Sequence, residues 1–110
     1  MFTIGIIQYS GEILPFGLFG GGFTSADSAY TDKYTYSGDT VAAGTVLGLA
    51  RYGLAATGNA TVGIFGGGYT DAYSAYTDKY TYSGDTVAAG TVLGLARQCL
   101  AACSSTANGL

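Results

Sequence analysis

The sequence predicts an all-β repeat fold. Three observations carry that prediction. Phe19-Gly20-Gly21-Gly22 returns as Phe65-Gly66-Gly67-Gly68, a period of 46 residues. The stretch from Ser28 to Arg51 returns unchanged from Ser74 to Arg97. Inside each copy, short runs of β-branched and aromatic residues alternate with clusters of Gly, Asn, Ser and Asp, the pattern of strands joined by tight turns. Self-similarity at a fixed period marks one supersecondary unit used more than once.

The 110 residues divide accordingly into a divergent segment 1–15, a first unit 16–50, a second unit 51–96, and the start of a third, degraded repeat over 97–110. The second unit shows the elements in order. Tyr52–Thr57 is short and rich in small residues, and Gly58-Asn59-Ala60-Thr61 is a turn cluster. Val62–Phe65 is a β-prone run that ends at three glycines, so the two runs read as a hairpin. Tyr69–Tyr76 is a polar, tyrosine-rich connection. Thr77–Tyr82 reads as a strand on its β-branched and aromatic content. Ser83-Gly84-Asp85 is a tight turn, because Gly and Asp accept unusual backbone angles. Thr86-Val87 opens a fourth strand that continues toward Val92. A helix over Val46–Ala56 is the competing reading. Gly48 and Gly53 inside it each cost about 1 kcal/mol, and its apolar residues form no single stripe.

The units resemble kelch repeats, the blades of one class of β-propeller. An apolar strand ends in a double glycine, Gly20-Gly21 and Gly66-Gly67. A tyrosine follows after a loop, Tyr34 and Tyr80. Seven residues on, where the family has Trp, stand Val41 and Val87, which leaves a smaller filling between blades. An arginine follows, Arg51 and Arg97, to which the resemblance assigns a structural role. It implies about two four-stranded blades. A propeller needs about 4–8, so the chain is expected either to belong to a longer array or to be completed by self-association. In the second case identical chains join head to tail, and three would supply six blades. The chain begins and ends inside the periodic pattern, with Ile4–Tyr9 the only early candidate for an inner strand of the first blade. Some kelch propellers support oxidases, whose copper ligands include His.

Composition narrows the chemistry. The chain has no His and no Trp, with 7 acidic and 4 basic residues for a net charge of −3. Without His, the commonest general base and the usual zinc and copper ligand are gone. Four dispersed cations do not make the basic patch that nucleic acid requires. Cys99 and Cys103 cannot fill a tetrahedral zinc site alone. They read as small apolar replacements for Gly53 and Thr57. The N-terminus lacks the basic region of a signal peptide, and no run reaches the roughly 18 apolar residues of a membrane span. No catalytic residue, metal site or cofactor is predicted.

What remains is a non-enzymatic binding or scaffold module. The three-glycine run lacks the Gly-Lys-Ser/Thr of a phosphate loop, so it ends strands. Asp32-Lys33 and Asp78-Lys79 carry too few oxygens for calcium and read as charged strand edges. The contact residues are sought in the loops after the glycines, at Phe23, Tyr30, Tyr69, Tyr73 and Tyr76. Tyrosine offers area with a polar tip, and loops more often carry function than strands do. The expected partner is a protein or a glycan, with neither nucleic acid nor membrane.

Overall fold

The computed structural model describes residues 16–105. The expectations for segment 1–15, for an inner strand at Ile4–Tyr9 and for residues 106–110 lie outside them. The described chain is all-β, with seven strands and no helix. The first sheet joins β1 (Phe16–Gly20), β2 (Thr31–Thr35) and β3 (Thr40–Ala43). The second joins β4 (Ala55–Gly58), β5 (Val62–Gly66), β6 (Thr77–Thr81) and β7 (Thr86–Ala89). Every neighbouring pair is antiparallel and strands follow one another in chain order. Among the described residues no sheet closes on itself.

Local chemistry sets these boundaries. The Asn59 carboxamide accepts from Val62 N at 3.0 Å and from Thr61 N at 2.8 Å, an Asx turn that folds β4 back onto β5. Asp39 and Asp85 adopt φ of 56° and 53° at the ends of the β2–β3 and β6–β7 turns, which aspartate tolerates better than most residues. After β5 the chain reverses at Gly67, with φ 75°. A Cβ there would lie 2.8 Å from Leu100 Cδ2 and 3.0 Å from Arg97 O.

From Phe16 onward the described chain has three strands and then a four-stranded unit, as the reading from Phe16 expects. Two expectations need correction. β7 ends at Ala89, short of Val92: one further bond in register, Gly90 N to Thr77 O at 3.1 Å, follows it, and beyond that the Thr77 hydroxyl donates to Thr91 O at 3.0 Å in place of a backbone pair. Gln98–Cys103, expected as the inner strand of a third repeat, forms no strand. The competing reading of a helix over Val46–Ala56 is not met, since that segment contains none.

The two sheets pack face to face, and the alternation of side chains decides how. In each Thr-Asp-Lys-Tyr strand, Asp and Tyr point to one face, Thr and Lys to the other. The Lys33 face of the first sheet meets the Asp78 and Tyr80 face of the second. Between them lie Leu47, Phe65 and Tyr80, all buried, with Leu18, Ala29, Leu54, Tyr82 and Val87 packed around them. Gly20 lies so close to the Phe65 ring that a Cβ would approach it to 2.8 Å. Phe16 meets Tyr82 edge-on at 5.5 Å.

Candidate functional site

Arg51 is the centre of the contact between the two units. It is fully buried. Its Nε donates to Gly67 O at 2.6 Å. Nη1 donates to Leu49 O and to Asp78 Oδ2, both at 2.8 Å. Nη2 donates to Phe65 O at 3.1 Å and Tyr76 O at 3.4 Å. A guanidinium has five N–H groups in a fixed fork, and five acceptors meet them. The Tyr76 ring lies 5.5 Å from its carbon. Asp78 is equally buried, and its other oxygen accepts from Gly48 N at 2.8 Å. A buried ion pair is costly to desolvate and contributes little net stability, but breaking it is expensive. Its effect is to fix where the loop after β3 sits on the second sheet. Asp78 therefore overturns the expectation of a solvated strand edge. A neighbouring loop covers it and supplies its counter-charge.

A second set of contacts runs beside the first. Lys33 Nζ pairs with Asp85 at 3.0 Å and lies 5.0 Å from the Phe16 ring centre. Tyr80 donates to Asp85 Oδ1 at 2.8 Å and accepts from Thr45 N at 3.3 Å. The Thr45 hydroxyl donates to Asp85 O. The Tyr80 hydroxyl and the Lys33 ammonium stabilise the charged carboxylate, so Asp85 titrates below its usual value. Burial, then the bond to Asp85, pushes Tyr80 above its usual value. Burial alone pushes Tyr82 up.

The residues expected to bind a ligand fall into two groups. Phe23, Tyr69 and Tyr73 join one row of rings, with Tyr52 as the link. Phe23 to Tyr52 is 5.3 Å between centroids, Tyr52 to Tyr69 is 5.6 Å, and Tyr69 to Tyr73 is 5.8 Å. Backbone pairs hold the row, since Tyr52 and Tyr69 exchange hydrogen bonds at 3.1 and 2.8 Å. Its two ends, Phe23 and Tyr73, are exposed. Tyr30 is exposed but stands outside the row, and Tyr76 is half-buried against Arg51. Tyr52 was not among the expected contacts. Its signal was available, an aromatic residue next to the repeat arginine, but it sits in a segment read only as a strand.

The repeat residues are placed as follows. Gly20 and Gly66 end β1 and β5, and Gly21 and Gly67 begin the loops that follow. Tyr80 is buried, whereas its copy Tyr34 is half-buried and donates to Asp39. Arg97 is exposed, unlike Arg51, and Val41 is exposed where Val87 is packed. Cys99 and Cys103 are free and exposed rather than packed inside, and Cys99 takes the left-handed φ of 56° that Gly53 takes at 70°. Among the described residues no three His, Cys, Asp or Glu side chains are grouped to hold a metal ion. The cleft between the sheets at Phe16, Ala56 and Tyr82 measures about 170 Å³, below the roughly 300 Å³ of a small-molecule site. No protein-family model and no curated protein matches this chain.

Proposed function

We propose that the chain is a kelch-like β-propeller module that acts as a non-enzymatic binding scaffold, with a glycan as its ligand. The second sheet supports the propeller part: four antiparallel strands in chain order form the meander of a propeller blade. The stacking of the two units supports it too, since a blade cannot bury its faces alone. On this reading the edge of β1 that has no partner among the described residues, and the outer sheet faces, are completed by self-association or by additional blades.

The observation that carries the ligand reading is the row Phe23–Tyr52–Tyr69–Tyr73. It runs across both units, ends in exposed rings and is flanked by Thr24, Ser25 and Thr70. Rings with hydroxyl tips suit a ligand that has apolar faces and many hydroxyls. No catalytic step is assigned. A glycan array probed with the purified chain tests the reading. The expected result is binding to a defined glycan set that falls at least tenfold in Tyr73→Ala, with an unchanged thermal melt. No glycan bound, or binding indifferent to both Tyr73→Ala and Phe23→Ala, overturns it.

A further inference from the structure

The loop that carries Arg51 and the loop that carries Arg97 are built alike. Arg51 N donates to Ser28 O and Arg97 N to Ser74 O, both at 3.1 Å. Leu47 N donates to Ala29 O and Leu93 N to Ala75 O, both at 2.8 Å. Thr31 Oγ1 reaches Thr45 O at 2.9 Å, and Thr77 Oγ1 reaches Thr91 O at 3.0 Å. The two loops therefore present the same groups. Only the first is seated on a sheet. Among the described residues, Arg97 makes one side-chain bond, Nη1 to Leu95 O at 2.9 Å, and Gly94 N makes none.

The seat also occurs twice. On the second sheet it comprises the carbonyls of Phe65, Gly67 and Tyr76, the Asp78 carboxylate, and Gly68, whose absent Cβ leaves room for the Arg51 stem at 3.3 Å. On the first sheet the corresponding residues are Phe19, Gly21, Tyr30, Asp32 and Gly22. They line an open cleft of about 570 Å³. Phe19 there is 66% exposed, while Phe65 is 4% exposed. Among the described residues nothing would lie within 4 Å of a Cβ at Gly22. The Asp32 carboxylate has no partner among the described residues. Forty-six positions before Arg51 stands Gly5, which has no guanidinium to offer it.

We propose that this cleft is a socket for the Arg97 guanidinium of a second copy of this chain. The occupant follows from the molecule itself: an identical loop already fills the identical seat one repeat away. The outward faces match by charge as well. The first sheet presents Asp32 and Asp39, the second presents Lys79 and Arg97, and in the interior contact Lys33 reaches Asp85 as Lys79 would reach Asp39. The same register brings Ala101 and Ala102 alongside Gly20 and Phe19 at the edge of β1 that is unpaired among the described residues, as Ala55 and Ala56 pair with Gly66 and Phe65. A contact of one face with a different face is head to tail, and it repeats into a ring where its rotation closes and into a filament where it does not.

The inference rests on the self-association part of the proposed function and is independent of the glycan. Sedimentation equilibrium tests it on the full chain. The wild type is expected to exceed 11.1 kDa. Asp32→Ala and Arg97→Ala each leave one face intact and are expected to weaken association by at least about 30-fold, the cost of leaving one charge of a seated pair alone. Mixed in equal amounts, they retain one competent contact, and the expected product is a dimer. A wild type that stays monomeric, a mixture that stays monomeric, or variants that associate as the wild type does would each overturn the socket. A monomer that still binds glycan through Tyr73 removes the socket and leaves the ligand reading standing. An associating chain that binds no glycan does the reverse.

Discussion

Arg51 and Arg97 sit in identical stretches of sequence, so replacing each in turn isolates the effect of surroundings. Arg51→Met removes five hydrogen bonds and leaves Asp78 fully buried without its counter-charge. Breaking a buried pair in this way costs about 3–5 kcal/mol. Arg97→Met removes one exposed bond, and a surface change of that kind stays within about 0.5 kcal/mol. A domain of this size holds only about 5–15 kcal/mol in total, so the first loss is a large share. Both variants are made in the Asp32→Ala background, which keeps association out of the comparison. Urea unfolding followed by tyrosine fluorescence is the assay. At a slope of about 2 kcal/mol per M, the Arg51→Met midpoint falls by about 2 M and the Arg97→Met midpoint hardly moves. Adding Asp78→Leu to Arg51→Met recovers part of the loss, because no lone charge is then buried. Equal losses from the two arginines would refute the claim that Arg51 clasps the units together.

Two other outcomes follow from the same contacts. Asp85 titrates below its usual value in the folded chain, so its contribution is present above the ordinary carboxylate range and is lost as the pH falls through the lowered value. Tyr80 titrates above its usual value, so its contribution is present below pH 10 and is lost as the pH rises through the raised value. Urea midpoints measured across pH should therefore decline at both ends, and Asp85→Asn should flatten the acid limb. An unchanged acid limb in that variant would contradict the assignment. Gly67→Ala forces a Cβ into a left-handed turn against Leu100 and should cost more than about 1 kcal/mol by thermal melt. Gly38→Ala, whose nearest neighbour is Thr40 at 3.6 Å, should cost less, and the reverse order would count against the turn geometry.

Strand positions were legible because they rest on local chemistry. Val62–Gly66 and Thr77–Thr81 fall within a residue of the runs read from β-branched and aromatic content, and the Asn59 and Asp85 turns stand where Gly, Asn and Asp cluster. Burial was not legible, and the duplication shows why. Tyr34 and Tyr80, and Val41 and Val87, have the same neighbours in sequence, and Arg51 and Arg97 are preceded by the same residues. One member of each pair is covered and the other is not, because covering depends on which unit lies against that face. Asp78 looked like a charged strand edge for the same reason: its partner is 27 positions away in sequence, in a loop that no local pattern links to it. The aromatic row was half-legible. Its loop members stood out as tyrosines in a glycine-bounded loop, while Tyr52 joined them only through a backbone pairing that crosses the second unit.

The central claim is that two identical loops have two identical seats, one within the chain and one on another copy. Amide hydrogen exchange at Gly48 and Gly94 tests it most directly. Gly48 N donates to Asp78, and Gly94 N is its counterpart, aimed at Asp32 of a second copy. The account predicts slow exchange at Gly48 at every concentration, and exchange at Gly94 that slows only as the chain is concentrated, with no such slowing in Asp32→Ala. Fast exchange at Gly48, or exchange at Gly94 that ignores both concentration and Asp32, would contradict it.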